Sequence, residues 1–268
     1  MKIWSMWDAG RANAPDMLQR CFTLWETLNP THKLNVIERA EMEDRLADLQ
    51  IDPHANRPNV NANILRLALL RDVGGCWVDA TLVPFRPLDD WFTGQLDTNG
   101  FFAFSRPGDD RPVANWFLAS PPGHVIAQTW LDRYAALFRH NRQQLPPYRS
   151  FKAFRAARKA KTDRLWFVRP GPGRLAKYYP YFMMHYQFDQ LLQSDTDFAN
   201  AWEATPKVSA LPSLLTIHVC RTCQTVEEFE QQLPELLDAS PVHKVDRRRP
   251  ECLRIVEYAE ERCLSNGG

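Results

Sequence analysis

Residues 63–88 read Asn-Ile-Leu-Arg-Leu-Ala-Leu-Leu-Arg-Asp-Val-Gly-Gly-Cys-Trp-Val-Asp-Ala-Thr-Leu-Val-Pro-Phe-Arg-Pro-Leu. The apolar run that ends at Asp72 predicts a helix, and the Gly74-Gly75 pair predicts its C-terminal end. Cys76-Trp77-Val78 predicts a short buried strand, which Asp79 follows directly. Open α/β sheets bind ligands beyond the carboxyl ends of their strands. We therefore expect Asp79 at the edge of a binding crevice.

Two polar side chains of the predicted helix belong to the same crevice. Asn63 and Arg66 are three residues apart and so share one helix face. With Asp79 they would bring together an amide, a guanidinium and a carboxylate that can bind a metal ion. That combination suits a nucleotide diphosphate, because the guanidinium fork matches phosphate oxygens. Three structural alternatives stay open: a helix cap at Asn63, a surface pair of Arg66 with Asp72 or Glu43, and a turn cap at Asp79.

The rest of the chain alternates between strand and helix patterns. Strands are predicted at 2–7 and 34–37 and helices from residue 14 and over 40–49. This alternation predicts an α/β fold with a doubly wound, mostly parallel sheet. The second half is rich in aromatic residues and mostly helical, with a short strand predicted at Leu165–Val168.

Charge is unevenly distributed along a chain whose formal net charge is only +1. Between Arg139 and Lys177 there are 12 Lys or Arg residues and one acid, Asp163. A solvated helix face and a surface that contacts anionic lipid both fit this segment. A nucleic-acid patch is not expected, because no helix-turn-helix, zinc-finger or RNA-recognition pattern accompanies it.

The composition predicts a cytoplasmic protein, with the inner face of the cell membrane as a further location. No stretch reaches the roughly 20 apolar residues that a membrane span needs. Charged residues interrupt the N-terminus, so no signal peptide is expected. The six cysteines are irregularly spaced, which is typical of reduced thiols. Cys220 and Cys223 have metal-ligand spacing, and a structural zinc ion there stays an open alternative.

Residues 63–81 resemble the core of sugar transferases with the GT-A fold, and most closely the capsular polysaccharide synthesis family. The family pattern is roughly Asp-x-x-Arg, then Gly-Gly-x-aromatic-x-Asp-x-Asp. Asn63 replaces the first acid of that pattern and Thr81 the last. Three other stretches are similar to the family and follow in the expected order: Ile3 to Gly10, Tyr181 to Asp189 and Ser240 to Lys244.

The resemblance implies a GT-A-like fold and transfer of a sugar from a UDP- or GDP-sugar. The acceptor would be a hydroxyl of a surface or capsular glycan, free or lipid-linked, and the anomeric configuration would be retained. A Mn²⁺ or Mg²⁺ ion would bind Asp79, with Thr81 and His243 as further candidate ligands. The chain would form one domain, with residues 1–138 binding the nucleotide sugar and 139–268 forming an acceptor-side lobe.

The resemblance also suggests donor contacts. Arg66 and Lys244 would hold phosphates, Asn63 would bond a ribose hydroxyl or a base edge, and Asn115 would lie near the donor sugar. Trp4, Trp7 and Trp77 are candidate stacking surfaces for the base, with core packing as their alternative.

The replacements at Asn63 and Thr81 also allow a second class of function. A protein that kept the GT-A fold and lost its metal chemistry would be a non-catalytic carbohydrate-binding or scaffold protein.

Overall fold

A computed structural model describes residues 1–96, 99–140, 142–145, 151–223 and 225–266. Its strands follow one another from the N-terminus to a short strand near the C-terminus. In chain order they are β1 (Lys2–Met6), β2 (Lys33–Ile37), β3 (Gly75–Val78), β4 (Leu82–Pro84), β5 (Phe102–Gly108), β6 (Arg111–Ser120), β7 (Gln143–Gln144), β8 (Tyr178–Tyr179) and β9 (Val242–Lys244).

The helices are distributed along the whole of the described sequence. They are α1 (Asp16–Leu28), α2 (Arg39–Asp48), α3 (Pro58–Asp72), α4 (Leu88–Trp91), α5 (Thr93–Leu96), α6 (Val125–Ala136), α7 (Phe151–Thr162), α8 (Met183–Ser194), α9 (Thr196–Glu203), α10 (Leu211–Thr222), α11 (Val226–Asp238) and α12 (Leu253–Asn266). Short 3₁₀ turns lie at 11–13, 164–167, 172–175 and 250–252.

The central sheet has the order β2-β1-β3-β6-β5. β1 pairs in parallel with β2 and β3, and β6 pairs antiparallel with both β3 and β5. Four of these five strands therefore run in one direction, and β6 runs against them. The prediction of an α/β fold with a mostly parallel sheet is confirmed. The chain leaves β1 toward β2 and returns to β3 on its other side, which makes a topological switch point at the carboxyl ends of β1 and β3.

Both faces of the sheet are covered, as a doubly wound fold requires. Successive residues of a strand point to opposite faces. Trp4 and Trp77 accordingly pack into one apolar cluster with α3, α6 and α8, whereas Ile3 and Cys76 pack into another with α1.

Helix α3 is enclosed by protein, which explains its apolar composition. It packs against α2 and α6 and lies beside β3 and β6. Pro58 occupies its first turn, where a missing N–H costs nothing. The helix begins at Pro58, five residues before Asn63. Asn63 consequently lies within the helix, and its alternative role as a helix cap is excluded.

The Gly74-Gly75 pair ends this helix and starts β3. Both residues have positive φ, +71° and +104°. A Cβ atom on Gly75 would lie 2.4 Å from the carbonyl oxygen of Lys2. Only glycine therefore allows β3 to approach β1 closely enough to pair with it.

The C-terminal part returns to the sheet edge near Asp79. β9 pairs antiparallel with β4, so that Lys244 lies opposite Leu82. Helix α10 packs on β9, and α12 packs on α1. These contacts place a residue from the last tenth of the chain beside the loop that follows β3.

The second half differs from the prediction in its details. Leu165–Val168 was expected to be a strand, but 164–167 form a 3₁₀ turn. The backbone here forms a hydrogen bond within the segment instead of pairing with a strand: the Val168 N–H donates to the Leu165 carbonyl over 3.1 Å. The Phe167 ring is buried in this conformation. Helices α9 and α10 were not predicted.

One apolar cluster joins residues of both halves, from Trp4 and Leu70 to Phe188 and Trp202. The assignment of a nucleotide-sugar half and an acceptor-side lobe stays a prediction. Within the described ranges, no helix is both long enough and apolar enough to span a bilayer.

Candidate functional site

A cleft of about 590 Å³ opens beyond the carboxyl end of β3, at the switch point of the sheet. Its walls come from α3, the β3–β4 turn, β6, α8, α10 and the segment after β9. Asn63, Arg66, Asp79, Thr81, Asn115 and Lys244 all line it. The structure therefore brings six of the predicted site residues together in one cleft.

Asp79 sits at the centre of this group. Its N–H donates to the Trp116 carbonyl over 2.9 Å, which extends the β3–β6 ladder by one bond. Its carbonyl accepts from the Leu82 N–H over 2.9 Å and so closes a turn. Asp79 therefore belongs to a turn through its backbone, whereas the alternative of a turn cap concerns its carboxylate. The carboxylate of the same residue has different partners.

The Asp79 carboxylate lies between two cations. Oδ2 is 2.6 Å from Lys244 Nζ, and Oδ1 is 3.3 Å from Arg66 Nη2. Trp77 Nε1 also donates to Oδ1 over 3.0 Å. The Asp79 side chain is 25% exposed, and those of Lys244 and Arg66 are 16% and 6% exposed. The carboxylate therefore reaches the cleft while both of its oxygens are engaged by positive groups.

Burial and charge act on this cluster in opposite directions. Burial would raise the pKa of Asp79, but Lys244 and Arg66, with the hydrogen bonds from Lys244 and Trp77, outweigh it and leave that pKa lowered. Burial lowers the pKa of Lys244, and Asp79 opposes that shift. Burial also lowers the pKa of Arg66, and Asp79 again opposes the shift, so the cluster sets two basic groups against one acid.

Arg66 is held rigidly on the cleft wall. Its Nη1 donates to the Asn115 carbonyl, and its Nε donates to the Ala62 carbonyl over 3.2 Å. The guanidinium carbon lies 4.9 Å from the centre of the Trp77 ring. The alternative of a surface pair with Asp72 or Glu43 is excluded, because Arg66 is buried beside Asp79.

Asn63 and Asn115 form a hydrogen-bonded chain behind Arg66. Asn115 Nδ2 donates to Asn63 Oδ1 over 3.1 Å, and Asn63 Nδ2 donates to the Tyr134 hydroxyl over 3.2 Å. Both amides line the cleft, but these bonds already use part of their capacity. These hydrogen bonds fix the position of the part of the cleft wall that carries Arg66.

The predicted stacking tryptophans lie outside the cleft lining. Trp4 is buried, and its Nε1 donates to the Gly74 carbonyl over 2.8 Å. Trp77 is buried beneath Arg66. Trp7 is partly exposed, with the Arg247 guanidinium 5.4 Å from its ring centre. Trp4 and Trp77 are therefore core residues, which was the alternative to base stacking. Side chains alternate along β1 and β3, and both indoles lie on the face of the sheet that α3 covers.

Other residues of the cleft were not predicted as site residues, although Tyr181 and Phe182 belong to a stretch that resembles the family. The aromatic side chains that line it are Trp116, Tyr181 and Phe182. Its additional cations are Arg111, Arg221, Arg247 and Arg248. Among the described residues that line the cleft, six cationic side chains face two carboxylates, those of Asp79 and Asp246. The run of three arginines at 247–249, close behind Lys244, was the signal that could have revealed part of this set.

Two buried nitrogens of the cleft wall have no hydrogen-bond partner among the described residues: Trp116 Nε1 and His185 Nδ1. Burial, reinforced by Arg111 and Arg66, lowers the pKa of His185 to about 3. The imidazole is therefore neutral near pH 7. Buried polar groups without partners are rare in native proteins, which sets these two nitrogens apart from the rest of the cleft wall.

The cleft does not supply the ligand set expected for Mn²⁺ or Mg²⁺. Such ions prefer several oxygen ligands, usually carboxylates. Asp79 is already paired with two cations, and Thr81 offers only a neutral hydroxyl. No group of three or more His, Cys, Asp or Glu side chains in the described ranges is placed to hold a metal ion. The residues present therefore do not fit a metal ion held by the protein.

His243 lies on the other face of β9 from Lys244, because neighbouring strand residues point in opposite directions. It is fully buried, its Nε2 is 3.1 Å from the carbonyl oxygens of Leu237 and Ser240, and its ring packs edge-on against Phe85. Burial lowers its pKa to about 4. The prediction that His243 is a metal ligand of the Asp79 site is not compatible with this placement.

The two cysteines with zinc-like spacing, Cys220 and Cys223, have different neighbours. Cys220 Sγ lies 3.1 Å from Cys252 Sγ in a buried pair, whereas Cys223 is partly exposed beside Gln232. Neither belongs to a group of three candidate metal ligands in the part of the chain that the structure describes.

Comparison with known proteins identifies a family for this chain. Residues 1–161 match the family described as "Capsular polysaccharide synthesis protein". The chain belongs to this family, as the resemblance implied.

Two curated fungal proteins are similar to part of the chain. It is 24% identical over 157 residues to "O-glycosyltransferase braB" of Annulohypoxylon truncatum, which covers 51% of this chain and 37% of that protein. It is 25% identical over 156 residues to "Glycosyltransferase afumC" of Aspergillus fumigatus, covering 51% and 40%. The matches thus span about two fifths of the length of each relative.

One solved structure, "PaToxG Glycosyltransferase", aligns with a TM-score of 0.40 and 13% sequence identity, over 75% of this chain and 72% of that chain.

Proposed function

We propose that this protein transfers a sugar from a nucleoside-diphosphate sugar to a hydroxyl group of a glycan. The observation that carries the proposal is the cleft at the switch point, where Arg66 and Lys244 flank Asp79 within an excess of positive charge. A diphosphate is the part of such a donor that matches this charge. The family and the similarity to two glycosyltransferases support the same reaction class.

The cleft suits the chemistry of the leaving group. In the transfer, the bond between the anomeric carbon and the diphosphate oxygen breaks, and its electron pair stays on the diphosphate. The acceptor oxygen forms the new bond to the anomeric carbon, and its proton passes to a diphosphate oxygen. Fixed cations stabilise the negative charge that develops on the leaving group. Retention of configuration would place acceptor and leaving group on the same face of the sugar.

The donor would be a UDP- or GDP-sugar, and the acceptor a surface or capsular glycan. Tyr181 is the aromatic side chain of the cleft most open to a base, because it is largely exposed. The Phe182 ring lies beneath the Arg111 guanidinium, whose carbon is 3.9 Å from the ring centre. Aromatic faces stack on any base for about 1–3 kcal/mol.

The test is a screen of UDP- and GDP-sugars for release of nucleoside diphosphate, with and without Mn²⁺ and Mg²⁺. Arg66→Met should abolish release, because it removes a diphosphate contact and the packing over Trp77. Arg133→Met is the matched control, since this arginine is exposed on α6 and outside the cleft. Failure of every donor to bind or to be hydrolysed would refute the proposal.

The alternative is a non-catalytic carbohydrate-binding or scaffold protein. The replacements at Asn63 and Thr81 are the observation that favours it. Such a protein would bind a glycan without releasing nucleoside diphosphate from any donor. Donor hydrolysis in the absence of acceptor therefore separates the two functions.

We further propose that the acceptor side contacts an anionic membrane, as a lipid-linked acceptor would require. Residues 141 and 146–150 of the basic segment Arg139–Lys177 lie outside the described residues. In the described part, Arg155, Arg158 and Lys159 of α7 line a second groove of about 530 Å³, which Trp166 and Lys177 also line. Clustered cations beside aromatic rings favour anionic lipid surfaces.

Co-sedimentation with vesicles tests this contact. Binding to vesicles with about 30% phosphatidylserine should fall when Arg155, Arg158 and Lys159 are changed to Gln, because each cation contributes about 1 kcal/mol near such a surface. Changing the exposed Lys33, Arg86 and Arg133 to Gln is the control for net charge. Equal loss in both triple variants, or binding that salt does not weaken, would contradict the contact.

A further inference from the structure

The Asp79 site differs from the metal site that the resemblance implies in a specific way. Thr81 stands where a second carboxylate would complete the ligand set, and His243 is buried on the opposite face of β9. The remaining acid already has a cation on each oxygen, Lys244 at 2.6 Å and Arg66 at 3.3 Å. A divalent ion at Asp79 would have to displace Lys244 or lie within a few ångströms of two like charges.

We propose that the ammonium group of Lys244, together with Arg66, takes the place of the divalent cation, so that this protein binds a nucleoside diphosphate without metal. The inference rests on the proposed function, since it concerns how the same cleft binds its donor. Asp79 then acts as a positioning residue for Lys244 and Arg66.

The position of Lys244 supports this role. The pairing of β9 with β4 fixes its backbone, and the Val245 N–H donates to the Thr81 carbonyl over 2.9 Å directly beside it. Asp79 anchors the ammonium group with one hydrogen bond. An ammonium group has three N–H donors, so further donors are available to phosphate oxygens.

Other cationic side chains of the cleft would neutralise the remaining charge of a bound diphosphate. Arg111, Arg247 and Arg248 line the same cleft. Arg111 is paired with Asp110 and Arg248 with Asp246, both at 2.9 Å, so of these three Arg247 is the one that adds most to the positive charge of the Asp79 cluster. Arg66 keeps its fork in place through the Asn115 carbonyl and the Trp77 ring. A rigid cation requires little reorganisation when charge develops on the leaving group, which is the contribution that a bound metal ion would otherwise make.

The first experiment needs no variant. Isothermal titration of the full chain with UDP and with GDP, in EDTA and in Mn²⁺, should give dissociation constants within about threefold of one another for the nucleotide that binds. Electron paramagnetic resonance of Mn²⁺ added to the protein alone should show no site tighter than about 1 mM. These readouts do not depend on finding the acceptor.

The second experiment uses Lys244. Lys244→Met should weaken nucleoside diphosphate binding in EDTA by about 30-fold or more, and Lys244→Arg should retain most of it. Lys161→Met, at an exposed lysine of α7 outside the cleft, is the matched control. Circular dichroism of each variant shows whether it is folded.

The outcomes separate this inference from the proposed function. Binding and turnover that need Mn²⁺ and disappear in EDTA would overturn the inference and leave the proposed function standing. The same holds if folded Lys244→Met binds as tightly as the unchanged protein. Absence of binding and turnover under both conditions would overturn the proposed function and the inference with it.

Discussion

Replacement of Asp79 by Asn is the sharpest probe of the cation pair around this residue. The amide has nearly the same shape and can still accept the hydrogen bond from Trp77, but it removes the negative charge. In the unchanged protein, Lys244 is 2.6 Å and Arg66 3.3 Å from the carboxylate oxygens. At an effective dielectric constant of about 20, Lys244 attracts the carboxylate by about 6 kcal/mol and Arg66 by about 5 kcal/mol. Desolvation of the three groups offsets most of this attraction.

The net effect follows from what the substitution leaves behind. Two largely buried cations would face each other without a counter-charge, a situation that costs about 3–5 kcal/mol in a fully buried site. Because the Asp79 side chain is 25% exposed, water recovers part of this cost. We expect Asp79→Asn to lower the free energy of unfolding by about 2–4 kcal/mol.

Urea unfolding followed by tryptophan fluorescence measures this change through the midpoint and slope. Asp163→Asn is the control, because its partners Lys159 and Arg169 are 40% and 50% exposed and such surface pairs contribute about 0–1 kcal/mol. Adding Lys244→Met to Asp79→Asn should restore part of the stability, since it removes one uncompensated charge. If Asp79→Asn costs no more than the control, Asp79 is not coupled to Lys244 and Arg66.

Three further predictions concern single residues. Gly75→Ala should destabilise the fold by at least about 2 kcal/mol in urea unfolding, whereas Gly123→Ala, with positive φ but open space around it, should cost only about 1 kcal/mol; equal costs would show that the close contact is unimportant. The pKa of His243 is lowered to about 4, so its contribution to the free energy of unfolding is complete above pH 6.5 and about 3 kcal/mol of it is lost as the pH falls to 4. The dependence of stability on pH should therefore flatten in His243→Gln, and an unchanged profile would contradict this prediction. Trp77→Phe should raise the pKa of Asp79, because it removes a hydrogen bond to the carboxylate; carboxyl-selective NMR titration measures this shift, and an unchanged value would exclude the bond.

The segment from α3 to Asp79 could be predicted from the sequence because its signals are local. An apolar run, a glycine pair and a short strand define helix, turn and strand from neighbouring residues alone. Asn63 and Arg66 could likewise be assigned to one face, since helical geometry fixes residues three apart. Asn63, Arg66 and Asp79 line one cleft as expected, because they are close to one another in the sequence.

The remainder of the site depends on contacts between distant residues. Asp79 and Lys244 are 165 positions apart, and only the β4–β9 pairing brings them together. Which face of β9 carries His243 depends on the register of that pairing, which no local pattern reveals. The burial of Trp4 and Trp77 follows from the helices that cover the sheet, so these residues could not be distinguished from exposed tryptophans by sequence.

The short β4–β9 ladder makes the cleft depend on a strand that lies far from Asp79 in the sequence. The family match stops at residue 161, yet the ammonium group beside Asp79 comes from β9. During synthesis, a ribosome-bound chain that has released only the matched portion would hold Asp79 and Arg66 but no Lys244. If the proposed function is correct, such a chain would lack one of the two cations beside Asp79 until β9 emerges and pairs with β4.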